Sequence, residues 1–96
     1  MAAPTFRLTN QAHADLNEIA DYLRERNPEA AHRVLDALRL TFETLAANPG
    51  IGAHREDLPT GVQMFVPSKP ATKYVVFYMA IESGVLITDV IHSARD

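Results

Sequence analysis

Ninety-six residues, 47% of them hydrophobic, with a formal net charge of −3, describe one small globular domain spanning residues 1–96. The chain has no cysteine, which excludes a disulfide framework and a thiolate zinc site and fits a reducing, cytoplasmic setting. Acid outweighs base in both halves, which argues against a direct grip on nucleic acid, because such affinity comes largely from neutralised phosphates.

The segment Met1 to Arg7 has no long apolar core, so it is not read as a secretory leader. No later stretch is long and apolar enough to span a membrane. Thr5-Phe6-Arg7-Leu8 alternates polar and apolar residues, the period of a strand. Thr9 or Asn10 then offers a helix N-cap. Ala12, Leu16, Ile19, Ala20 and Leu23 follow at spacings of three and four and share one helix face, opposite Asp15, Glu18, Asp21, Arg24 and Glu25.

Asn27-Pro28 ends that helix and opens the next, since Asn caps well and Pro at the first helical position loses no hydrogen bond. The second helix carries Ala31, Val34, Leu35, Leu38, Phe42 and Leu45 on its apolar face, and Asn48-Pro49-Gly50 stops it. So short a connection predicts an antiparallel helical hairpin. Gly50 to Gly61 reads as a loop, and Val62 to Val66 as a strand. Pro67 to Thr72 is a turn-like insert, because its two prolines cannot sit in a central strand. Tyr74 to Ile81 is a long strand, Glu82-Ser83-Gly84 a hairpin turn, and Val85 to Ile91 a buried last strand. The expected fold is α+β, in the order β-α-α-β-β-β, with the hairpin packed on one face of a mainly antiparallel sheet.

The last strand runs into His92, Arg95 and Asp96, which makes the C-terminal end the leading candidate for a working site. His92 is the tempting acid/base, but a lone histidine more often fixes backbone, here by bonding a carbonyl, than carries chemistry. Arg95 could contact a target or pair with Asp96, the chain carboxylate or Asp89. Tyr74 and Tyr78 share one strand face with Val76, while Val75, Phe77 and Met79 share the other; one set must be core. His13, His32 and His54 have no metal-ligand spacing, so neither metal nor cofactor is expected.

Several of these segments together resemble the ParE toxins of type II toxin–antitoxin modules, within the ParE/RelE superfamily. They are Leu8 to Ala12, Asp15 to Leu23, Asn27 to Ala31, Leu45 to Gly52 with its Asn48-Pro49-Gly50-Ile51-Gly52 stretch, Val75 to Tyr78, and Val90 to Asp96 with its His-x-x-Arg-Asp end. The resemblance implies the same β-α-α-β-β-β fold and a ParD-like antitoxin, in a heterotetramer or larger even complex. It implies DNA gyrase as the target for ParE-like members, and ribosome-bound messenger RNA, which they cleave, for RelE-like ones.

Target-binding candidates are Arg95, His92, Tyr74 and Tyr78; in the nuclease reading, Arg95 would hold phosphate and His92 act as acid/base. Antitoxin-binding candidates are Leu16, Ala20, Leu23, Leu35 and Phe42, if the hairpin leaves an apolar edge open. Gln63 and Met79 stand where many relatives carry Arg, and no terminal Tyr follows Arg95. The first two departures remove positive charge from the expected working face of the sheet, which favours gyrase inhibition without catalysis over RNA cleavage, with a degenerate toxin that only binds its antitoxin as a further alternative.

Overall fold

The computed structural model describes residues 3–94. Its elements are β1 (Thr5–Leu8), α1 (Asn10–Arg26), α2 (Pro28–Ala47), a 3-10 turn (Pro49–Ile51), β2 (Ala53–His54), β3 (Val62–Phe65), β4 (Tyr74–Ile81) and β5 (Gly84–His92). One five-stranded sheet has the order β1-β5-β4-β3-β2. Only the β1–β5 pair is parallel; the others are antiparallel. The expected order therefore holds, with β2 added inside the segment read as a loop. Two residues at a sheet edge, opposite Gln63 and Met64, are too few to show a period.

The helix boundaries follow from side-chain caps. Thr9 Oγ1 accepts from the Ala12 N–H at 3.0 Å, satisfying a donor that the first turn of α1 leaves free. Asn27 closes α1 by donating its N–H to Leu23 O at 2.7 Å, and opens α2 by accepting from the Ala30 N–H at 3.2 Å. One residue serves both helices, which forces the sharp reversal of the hairpin.

The hairpin packs on one face of the sheet over β1 and β5. Ala12, Ile19, Leu38, Phe42 and Leu45 meet Tyr74, Val76, Tyr78, Val85, Ile87 and Val90 in a single core. Phe6 of β1 stacks at a tilt on Phe42, with ring centroids 5.3 Å apart. Each fully buried large apolar side chain contributes roughly 1.5–3 kcal/mol to stability. Gly84 starts β5 at φ +146°, where a Cβ would collide with the Thr5 carbonyl. Glycine therefore allows the parallel pairing of Thr5 with Gly84 that brings β1 into the sheet.

β4 and β5 pair along their length with one irregularity. Phe77 faces Asp89 while Tyr78 faces Ile87, so Thr88 is an extra residue in β5. The bulge keeps Val85, Ile87 and Val90 all on the helix side.

Candidate functional site

The C-terminal end of β5 is pinned from two sides, by α1 and by the start of β4. β1 covers the outer edge of β5 only as far as Ile87. Beyond that point α1 satisfies the edge with side chains. Thr9 Oγ1 donates to Thr88 O at 2.8 Å, and Asp15 Oδ2 accepts from the Val90 N–H at 2.9 Å. Asp15 thus belongs to the sheet contact, not to the solvent face on which helical spacing alone places it. Gln11 Nε2 donates to its other oxygen at 2.7 Å and orients the carboxylate. From the β4 side, Lys73 O accepts from the Ser93 N–H at 2.8 Å and from Ser93 Oγ at 3.0 Å.

His92 pairs in register with Tyr74, and the two rings meet edge to face at 5.2 Å. Its Nδ1 accepts from the Ala94 N–H at 3.2 Å, so the neutral ring carries its proton on Nε2. The expected bond to a carbonyl is replaced by this acceptor role, because the chain turns tightly after β5 and brings an amide to the ring. Arg95 and Asp96 lie outside the described residues. The strand that delivers them is held through Ser93.

The Asn48-Pro49-Gly50-Ile51-Gly52 stretch proves architectural. Tyr78 Oη donates to Pro49 O at 2.8 Å and accepts from the Gly52 N–H at 2.8 Å. Gln63 Nε2 donates to Gly52 O at 3.1 Å. A Cβ at Gly52 would run into the Tyr78 ring, so the close approach needs glycine. Burial pushes the Tyr78 phenol above its ordinary range, partly opposed by the Gly52 amide.

This latch corrects two expectations. Tyr74 and Tyr78, offered as target-binding candidates, are 4% and 0% exposed and belong to the core. Gln63 is buried on the helix side of β3, so an Arg missing there removes no charge from the opposite face. Only Met79 of the two departures lies on that face, between Val62 and Leu86. The strand parity was legible; which side the helices take was not.

The face away from the helices has no covering element among the described residues. Met64, Val75, Phe77, Met79, Leu86 and Ile91 lie across it, each half-buried by its strand neighbours alone. Arg7 and Asp89 are the charges of the strands on this side. Arg55 reaches its rim, with Nη1 3.7 Å from Met64 Sδ, while paired with Asp57 at 2.8 Å. Such a surface is apolar and adaptable, suited to a protein partner.

Of the antitoxin-binding candidates on the hairpin, Ala20 and Phe42 are buried, while Leu16, Leu23 and Leu35 pack against the core with part of their surface left over. Seven of the twelve carboxylates and four of the nine Lys and Arg residues sit on α1 and α2. The helical layer therefore carries the whole net charge of −3, and the rest of the chain balances. Among the described residues, no group of three or more His, Asp or Glu is placed to hold a metal, and no helix is long and apolar enough to cross a membrane.

A helical hairpin on one face of a sheet whose other face is bare, with a pinned final strand, is the ParE-like α+β architecture. The sequence profile of the ParE toxin of type II toxin–antitoxin system, parDE, matches residues 6–96, and the chain belongs to that family. Its structure superposes on a chain described as the chromosomal ParDE TA system from P. aeruginosa, with a TM-score of 0.75 and 19% sequence identity. The match covers 94% of this chain and 96% of that one, and at this identity it speaks to the fold. Among curated protein sequences none matches the chain.

Proposed function

We propose that this ParE-family toxin inhibits DNA gyrase by binding it, and is neutralised by a ParD-like antitoxin in a heterotetramer or larger even complex. Membership of the ParE toxin family carries the reading. The chemistry of the sheet supports binding over catalysis. RNA cleavage needs an acid, a base and positive charge gathered around one phosphate. The bare face offers instead a field of Met, Phe, Val, Leu and Ile with Arg7 and Asp89 as its strand charges. His92 stacks on Tyr74 from the helix side, with Nδ1 occupied by the Ala94 amide. We assign the gyrase contact to the bare face around Phe77 and Met79, together with Arg95.

The test is pulse labelling after induction of the toxin alone in a bacterium, with thymidine and amino-acid incorporation followed together. Early loss of DNA synthesis with continuing translation is the expected result. Early loss of translation, abolished by Arg95→Ala or His92→Ala, would replace this reading with ribosome-dependent cleavage of messenger RNA. Loss of neither would leave a chain that only binds its antitoxin.

A further inference from the structure

Sulfur is scarce in this chain and gathered on one surface. There is no cysteine, and there are three methionines, Met1, Met64 and Met79. Met1 lies outside the described residues, and among those described no methionine belongs to the core beneath the hairpin. Met64 and Met79 both lie on the bare face of the sheet. Met64 of β3 stands directly opposite Phe77, and Met79 follows Phe77 by two residues on the same side of β4. Opposed and diagonal neighbours of this kind meet through long side chains, so the two thioethers frame the Phe77 ring.

Neither sulfur has a covering layer. Both side chains are half-buried, by strand neighbours alone. The methyl end of Met79 lies toward Gly61, where even an added Cβ would stay 3.9 Å away. Met64 Sδ accepts from Arg55 Nη1 at 3.7 Å, while Arg55 Nε and Nη2 donate to Asp57 at 2.9 and 2.8 Å. Asp57 thereby fixes the guanidinium with its remaining edge on the sulfur. A thioether is a weak acceptor, and a sulfoxide oxygen on the same atom is a strong one. Arg55 has a donor aimed where that oxygen would form.

We propose that Met64 and Met79 are a reversible oxidation site that switches off the gyrase-binding face. A peroxide delivers one oxygen to each sulfur. The sulfur lone pair attacks a peroxide oxygen, the O–O bond breaks, and a proton shift leaves methionine sulfoxide and water. The sulfur loses two electrons and the peroxide gains them. An adaptable apolar side chain becomes polar and chiral, and an apolar partner surface then has no donor for its oxygen. The core beneath the hairpin is untouched, so the fold survives a change that the contact does not. The proposal rests on the gyrase reading and adds a condition to it: the toxin inhibits while these thioethers are reduced.

The experiment treats full-length toxin with hydrogen peroxide, removes the oxidant with catalase, locates each added oxygen by peptide mass spectrometry, and assays supercoiling by untreated gyrase. Oxidation of Met64 and Met79 is expected to raise the half-inhibitory toxin concentration at least tenfold, with cooperative melting retained. Methionine sulfoxide reductases A and B should restore inhibition to within twofold. Toxin carrying both Met64→Leu and Met79→Leu is compared with its own untreated sample and should shift less than twofold on peroxide treatment. If the leucines themselves weaken inhibition, repair by the reductases decides. Undiminished inhibition with both sulfurs oxidised would overturn the proposal and leave the gyrase reading in place. So would resistance of both sulfurs to peroxide, loss of cooperative melting, a loss of inhibition that the reductases do not repair, or one that the leucine-substituted toxin shares. Absence of inhibition by untreated toxin would overturn both.

Discussion

The two faces of β4 are one residue apart in sequence and opposite in role. Tyr74, Val76 and Tyr78 are buried under the hairpin, whereas Val75, Phe77 and Met79 rest half-buried on the bare side. Both sets are apolar and aromatic, so composition does not separate them. What separates them is the hairpin, which can cover one side only. The covered side carries stability; the other retains apolar surface that a solitary domain has no structural reason to keep. The difference teaches that aromatic residues in such a strand should be sorted by parity first and by the covering layer second.

The comparison can be broken at several points. Leu38→Ala, at a residue with no exposure, should cost about 2–5 kcal/mol, read as a lower midpoint in urea unfolding. A loss below about 1 kcal/mol would mean that the hairpin packs loosely on the sheet. Gly84→Ala should cost about 2 kcal/mol or more, because it combines a strained φ with a collision at Thr5. Tyr78→Phe deletes two hydrogen bonds of the latch and should cost about 1–3 kcal/mol.

The same tyrosine predicts a pH dependence. Its folded pKa is raised, so its contribution is fully present below the unfolded value near about 10 and is lost as pH rises through the higher folded value. Wild-type stability should therefore fall in alkali above about pH 10, and Tyr78→Phe should fall less over that window. Asp15→Ala should cost about 1 kcal/mol and speed amide exchange at Val90, since the carboxylate is the recorded acceptor of that N–H. On the bare face, Phe77→Ser should cost no more than about 1 kcal/mol, less than Leu38→Ala, while removing toxicity. A large loss of stability there would mean that Phe77 serves the fold instead.

Much of this fold was written in local chemistry. The Asn27-Pro28 junction, the Thr9 cap and the 3.6-residue period of both helices fixed the hairpin, and β4 matches its sequence span of Tyr74 to Ile81. The site was less legible, for two physical reasons. Parity put Tyr74 and Tyr78 on one face but could not say which face the hairpin would occupy. The reach of Asp15 to Val90 joins residues 75 positions apart, and the Thr88 bulge shifts the register within the β4–β5 pair; no local pattern announces either.

The central claim, that a bare apolar face on a ParE-family toxin is a gyrase-binding surface, is tested most directly by DNA supercoiling with purified gyrase. The toxin is expected to inhibit the reaction at micromolar concentration, and Phe77→Ser to abolish inhibition while remaining cooperatively folded. Undiminished supercoiling in the presence of excess folded toxin that still arrests growth would contradict it.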